Sequence, residues 1–306
     1  VVANINPGTN YWLYVGLAFL LQLGMAFYDT CTDGLALDIT PESERGILQG
    51  FMVGGRSVGV IVAASVAGLI AQHISWSAVF YFLALLTLIP IPFLFFIHEL
   101  ERAPEMRFNW KAFGAFKDRK VLAVAGVGLI VFMVIVGSNQ IVNPSFDARL
   151  GIDLSTAGLI TTVWGIGCVA GAMVGGRVMD RLGNRSALRL SILLVVPAMV
   201  LLALTASRPM MWLVTIFFGI AYGLSQAVYF ALAMKYTQPA IAASMYSILM
   251  AVTNIGQGIG LGLSGGLANS AGYPVTFLVF GALLLLVLPF FPILFGKRLS
   301  SSREAR

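Results

Sequence analysis

Three ionisable residues stand inside apolar runs of this chain: Asp29, Asp33 and Arg56. An ionised side chain is costly in hydrocarbon, so residues of this kind are kept for ion or solute pathways. Asp29 and Asp33 are four apart and share one face of a helix. Two carboxylates that close resist simultaneous ionisation, so one is suited to pick up and release a proton as its exposure changes. Arg56 supplies a cation, for an anionic solute or for one of the carboxylates. Counted from the midpoints of their runs, Asp29 and Arg56 differ in depth by about 3 Å; counted from the loop between them, by about 10 Å. A long arginine can close either gap. A static Asp29–Arg56 pair, with Asp33 near water, is the structural alternative, and both readings stay open at this point.

Neutral polar residues add a second group. Asn139 and Gln140, Tyr222, Gln226 and Tyr229, and Asn254 and Gln257 all lie in apolar runs. Tyr222, Gln226 and Tyr229 fall at i, i+4 and i+7, one helical stripe. They are candidates to line a cavity and hydrogen-bond a polar solute. They could equally join helices to one another in lipid, at roughly 0.6–2 kcal/mol each.

The elements that must carry these residues are membrane helices. The 306 residues are 58% hydrophobic and only 10% charged, with a mean hydropathy of +0.90. Soluble domains carry about 25% charged residues. A span needs about 20 apolar residues, and nine runs qualify: 11–37, 47–71, 78–97, 121–142, 156–178, 188–206, 210–234, 244–268 and 275–295. Thr40-Pro41-Glu42 reads as the N-cap and first turn of the second run. Ser207-Arg208-Pro209 and Ala271-Gly272-Tyr273-Pro274 read as tight turns. The long connection around residues 98–120, with Trp110, Phe113 and Phe116, suits an amphipathic surface helix. Glycines spaced by four, at Gly50/Gly54, Gly55/Gly59, Gly167/Gly171/Gly175 and Gly256/Gly260, suit helices packed backbone to backbone. The expected fold is therefore an all-α, polytopic bundle with nine transmembrane helices.

Arginines and lysines set the orientation. Sixteen fall in one set of alternate connections, only Arg149 and Arg208 in the other, and Arg56 lies within a span. The basic side is read as cytoplasmic, with the N-terminus outside and the C-terminus inside. Cys31 and Cys168 give neither a disulfide framework nor metal-ligand spacing, and no cofactor or metal is expected. The net charge of +6 follows from this placement and does not call for nucleic acid. The expected partners are the lipid bilayer, a small-molecule solute and a proton or other coupling ion, with the protein as a monomer in a bacterial inner (plasma) membrane.

One motif names a relationship. Gly176-Arg177-Val178-Met179-Asp180-Arg181-Leu182-Gly183-Asn184-Arg185 resembles the loop signature G-x-x-x-D-R-x-G-R-R of the major facilitator superfamily, departing from it at Asn184. Gly176 would let two helix ends approach, Gly183 would permit a sharp turn, and Asp180 would accept from arginines or helix N-termini. The resemblance covers the whole chain. It implies that the run before Arg177 is the family's eighth helix, that the first run is the fourth and the last the twelfth, and that three preceding helices are absent here, in keeping with Val1 as the first residue. It divides the chain into three helices of an N-terminal bundle (1–97), a cytoplasmic linker (98–120), a C-terminal six-helix bundle (121–296) and a tail (297–306). The segment 37–46 resembles the family's fourth-to-fifth loop, where an aspartate at the place of Asp38 partners the first copy of the signature, a copy that falls among the helices expected to be absent here. Asp38, Gly176, Asp180, Arg181, Gly183 and Arg185 are then the expected conformational latch. A weak repeat, Gly55–Gly59 against Gly256–Gly260, suits two halves related by an axis normal to the membrane. Tyr28–Asp33 followed by Gly55-Arg56 loosely resembles the muropeptide permease and acetyl-CoA transporter branch.

The resemblance implies a secondary active transporter working by alternating access and coupled to protons, not an enzyme. Two rivals remain at this point. Gly262-Leu263-Ser264-Gly265 resembles the serine motif of rhomboid-like intramembrane proteases, but the only histidines, His73 and His98, lie at span ends. A non-transporting sensor could use the same fold. No phosphate-binding glycine loop appears.

Overall fold

Polar residues at the ends of apolar runs start the helices. In the computed structural model, Ser75 caps α3 (Trp76–Leu88) by accepting from the Ala78 amide at 3.1 Å. Asp118 caps α5 (Arg119–Gln140), accepting from the Lys120 amide at 2.8 Å. Asp153 caps α7 (Leu154–Leu204), accepting from the Thr156 amide at 2.8 Å. Each such cap satisfies a backbone donor that the helix leaves open and is typically worth ~1 kcal/mol. Glycines end or turn the helices where φ must be positive. Gly151 (φ 59°) closes α6 (Val142–Leu150), and Gly272 (φ 83°) separates α9 (Ala242–Ala271) from α10 (Tyr273–Leu284).

The structure describes residues 2–6, 8–39, 45–96, 110–237 and 241–296. Within these, the side chains of 29–30, 33–39, 45–54, 56–57, 94, 111–112, 180 and 242–243 are not described. The Thr40-Pro41-Glu42 cap, most of the linker and the tail therefore lie outside the described residues. No strand occurs among those that are described. Eight helical stretches there are long and apolar enough to cross a membrane. The ninth expected span corresponds to α2 (Arg45–His73), whose described apolar stretch, Val58–His73, is shorter.

The chain forms two compact units: Val1–Arg107 with Ile152–Thr162, and Phe108–Gly151 with Val163–Arg306. In the first, α1 (Tyr11–Ile39) buries none of its described side chains. Tyr81 on α3 donates to Asn4 at 2.9 Å, and Ser77 donates to the Ala3 carbonyl, tying the short 3-10 turn Val2–Asn4 to α3. A short helix, α4 (Ile91–Leu94), follows Pro90. Gly68 on α2 faces Gly158 at the start of α7 so closely that a Cβ on either would stand 2.7 Å from a carbonyl oxygen of the other helix.

The second unit is packed far more tightly. Gly256 and Gly260 of α9 lie on the Leu129 and Met133 carbonyls of α5. Gly167, Gly171 and Gly175 of α7 meet residues 216–227 of α8 (Arg208–Lys235), which answers with Gly219 and Gly223. These glycines behave as their spacing predicts: without a Cβ, backbones touch and dispersion contacts accumulate where lipid offers no hydrophobic drive. Gly55 and Gly59 differ, since a Cβ at either meets nothing among the described residues. Phe146, Phe218, Phe277, Phe280, Leu188 and Met199 fill the core.

Three boundaries depart from expectation. The run 121–142 is interrupted at Ile141, after which α6 continues to Leu150. The last run is three pieces, α10, a 3-10 turn at Leu285–Val287 and α11 (Phe290–Phe295), because Pro289 cannot donate to a continuous ladder. The described part of the linker is a 3-10 helix, Trp110–Lys117, whose exposed Trp110 and Phe113 rings stack at 5.8 Å.

Candidate functional site

The two carboxylates and the arginine lie on helices of the first unit. Asp29 and Asp33 are a helical turn apart on α1, and Arg56 is on α2. Their side chains lie outside the described residues, as do those of Asp38 and Asp180. A four-residue separation on a helix sets the two carboxylate positions about 6 Å apart along its axis.

The neutral polar residues fall into three settings. Tyr222 is nearly buried and meets Trp164 edge to face at 4.9 Å and Phe218 at 6.0 Å. The Trp164 indole N–H has no hydrogen-bond partner among the described residues, as is also true of the Thr215 hydroxyl on α8. Gln226 is half-buried one turn further on. Tyr229, at the end of the same stripe, is wholly buried: its ring fills the space beside Gly128 and meets Phe132 at 5.4 Å. The Tyr229 hydroxyl has no partner among the described residues. On α9, exposed Asn254 accepts from half-buried Gln257 at 2.9 Å. Asn139 is half-buried and Gln140 exposed at the end of α5. Trp164 escaped the sequence reading; the signal was an indole in an apolar run, close to Thr161 and Thr162.

At the signature loop, Gly183 adopts φ 74° and ψ 164°, a conformation open essentially to glycine alone. It breaks α7 into two arms, 154–182 and 184–204. A Cβ on Gly176 would meet nothing among the described residues, whereas one on Gly175 would stand 3.1 Å from the Leu224 carbonyl and the Ala227 methyl. The close helix approach thus falls one residue earlier than the motif suggested. Asn184 accepts from Lys235 at 3.4 Å, and Arg177 donates to the Met173 carbonyl at 3.2 Å. Arg181 and Arg185 are exposed.

The two arginines outside the basic set have structural work. Arg149 donates to the carbonyls of Leu202 and Ala203, each at 2.9 Å, at the C-terminus of α7. A cation there satisfies open carbonyls and complements the helix dipole. Arg208 donates to the Gly151 carbonyl at 3.3 Å.

A polar cluster that the sequence did not announce joins α2 to the start of α7 within the first unit. The Gln72 side chain accepts from the Ser155 amide at 2.9 Å and donates to Asp153 at 3.4 Å. The Ser65 and Thr162 hydroxyls meet about two turns further along the same helix pair. Donors from Thr156, then from Ser155 and Gln72, hold the exposed Asp153 carboxyl down at about 2. Ser264, the rhomboid-like serine, is buried and spends its hydroxyl on the Leu261 carbonyl at 2.8 Å. That is a packing role, not a nucleophile poised by a base.

Known proteins resemble this chain as follows. Residues 1–148 and 124–306 match the family model described as Major Facilitator Superfamily, so the two matches together run the length of the chain. The sialic acid transporter NanX of Escherichia coli (strain K12) is 26% identical over 191 residues, 58% of this chain and 45% of the relative. The aligned stretch thus spans less than half of that relative. A bacterial homologue of the human lysosomal transporter Spinster, inward-facing and occupied, superposes with a TM-score of 0.64 at 15% identity over 86% of this chain and 72% of that one. Its unoccupied inward-facing form gives 0.62 at 14%, over 86% and 73%. The human organic anion transporter MFSD10 gives 0.52 at 16%, over 56% of this chain and 40% of that one. At these identities the solved structures speak for the fold alone.

Proposed function

Because the chain belongs to the major facilitator superfamily, we propose that the protein moves a small solute across a membrane by alternating access, driven by protons. The observation that carries the coupling is the pair Asp29 and Asp33, one turn apart on an apolar helix, with Arg56 on the next. Ionisable residues at such positions serve pathways. In this reading one carboxylate loads a proton when its side of the membrane is open and releases it when the other side opens. Arg56 holds the solute's negative charge, or neutralises a carboxylate in the empty carrier.

The solute is anionic or zwitterionic. Arg56 favours that charge, and NanX, by its name, carries an acid. Within the second unit, Gln226, Tyr222 and Trp164, with Asn139, Gln140, Asn254 and Gln257, are the candidates to offer a polar solute hydrogen bonds and aromatic surface. Tyr229, enclosed beside Gly128, acts behind that surface rather than on it. Asp38, Gly176, Asp180, Arg181, Gly183 and Arg185 latch the basic side, which faces the cytoplasm of a bacterial cell. The protein works as a monomer.

The reading is tested in vesicles containing the purified protein, by uptake of radiolabelled sialic acid and other carboxylated sugars with and without an inward proton gradient. Gradient-stimulated uptake that an excess of unlabelled acid suppresses is the expected result. Uptake equal to that of protein-free vesicles for every carboxylated and zwitterionic solute tried would overturn it.

A further inference from the structure

Beyond the fold and the transport reading lies a groove in the second unit at the end that carries the Gly183 turn. It has a volume of about 370 Å³ and is lined by Arg185, Phe291, Pro292, Phe295 and Gly296. Its walls come from the second arm of α7 and from α11. The Phe291 and Phe295 rings pack together at 5.6 Å, and the Arg189 guanidinium lies over the Phe291 ring at 5.9 Å. Arg185 is exposed and no carboxylate among the described residues pairs with it. The Arg185 guanidinium and two aromatic rings thus line one recess, and a second guanidinium, that of Arg189, stands beside it over the Phe291 ring.

The helix face that leaves this recess says what fits it. Arg185, Arg189, Leu193, Pro197, Val200 and Leu204 recur every three or four residues and are all exposed, so they form one outward stripe. Leu193 is 68% exposed and Leu204 63%. Two cations are followed, about 6 Å further along the axis, by an uninterrupted apolar track. A soluble phosphate or carboxylate would use the cations and leave the track bare. A phospholipid uses both.

We propose that the Arg185–Phe291–Phe295 groove binds the headgroup of one acidic phospholipid of the cytoplasmic leaflet, with an acyl chain lying along Leu193 and the residues beyond it. Basic recesses between helices on that side suit anionic headgroups. Arg185 takes the phosphate by charge-assisted hydrogen bonds. Arg189, over the Phe291 ring, adds a second positive charge beside the groove. The leaflet rests on the orientation proposed above; the contact itself does not.

Native mass spectrometry of the detergent-purified chain, titrated with phosphatidylglycerol or phosphatidylcholine, tests this without any transport measurement. One phosphatidylglycerol is expected to remain bound where phosphatidylcholine does not. Arg185→Gln should weaken its retention about fivefold, the worth of one basic residue at an anionic membrane surface, and Arg189→Gln by less. Arg185→Lys should retain most of the binding, which separates loss of charge from loss of fold. Arg177→Gln removes a neighbouring arginine that bonds the Met173 carbonyl and does not line the groove, so it should bind as the parent does. Equal loss in Arg177→Gln, equal retention of the two lipids, or displacement of the lipid by millimolar glycerol phosphate would each overturn the proposal.

Discussion

The two units of this protein solve different problems with the same kind of helix. In the second, glycines at Gly167, Gly171, Gly219, Gly223, Gly256 and Gly260 let backbones touch, and large aromatic side chains are wholly buried. In the first, α1 buries none of its described side chains, and Gly55 and Gly59 face open space among the described residues. Yet the first unit holds all three ionisable residues that sit in apolar runs. The comparison sets a second unit held by backbone-to-backbone glycine contacts beside a first unit that carries the ion chemistry proposed above.

The strongest way to break that comparison is to enlarge glycines in both units. Gly223→Leu drives a side chain into the Cys168 carbonyl, and should destabilise the protein by about 3 kcal/mol or more. Thermal unfolding in detergent, followed by loss of the monodisperse elution peak, measures it. Gly59→Ala, where a Cβ meets nothing, should change stability by less than about 0.5 kcal/mol. If both are equally damaging, the first unit is packed as tightly as the second.

A smaller effect is expected at Arg149. Arg149→Met removes two charge-assisted bonds to the carbonyls at the end of α7 and should cost roughly 2 kcal/mol. Arg208→Gln, losing only an exposed 3.3 Å bond to the Gly151 carbonyl, should cost under about 0.5 kcal/mol. Denaturant titration of the two variants side by side ranks them.

The pH dependence sharpens the same contrast. Asp153 titrates at about 2, against an ordinary 3.8, because Thr156, Ser155 and Gln72 donate to it. Its folded value is depressed, so its stabilising contribution is fully present above about pH 4 and is lost only as pH falls through about 2. Between pH 5 and 8 it stays ionised. Asp153→Asn should leave the pH profile of uptake unmoved over that range, and any shift would make Asp153 part of the proton path.

Much of this architecture was legible because membrane helices announce themselves locally. Apolar run length marked the spans, Gly183 marked the turn inside the signature, and Gly272-Tyr273-Pro274 marked the break before α10. Glycine spacing found the α7–α8 and α5–α9 contacts in kind, though not which helix met which. What escaped depends on partners far along the chain. Nothing local in Gln72 says that it will meet the amide of Ser155, 83 residues on. Arg149 counts in the sequence only as a charge on the sparsely basic side, and nothing local points to the carbonyls of Leu202 and Ala203, more than fifty residues on. The stripe Tyr222–Gln226–Tyr229 was correct as a helical face, but Gly128 on another helix encloses Tyr229. Periodicity gives a face and cannot say whether that face looks onto water, lipid or a neighbour.

The central claim is that the carboxylates of the first unit couple solute movement to protons. Solute exchange without a gradient and accumulation under a gradient, measured on the same vesicles, separate coupling from folding. Asp29→Asn with Asp33→Asn should preserve exchange while abolishing accumulation. Accumulation at the parent level in that double variant would contradict the account.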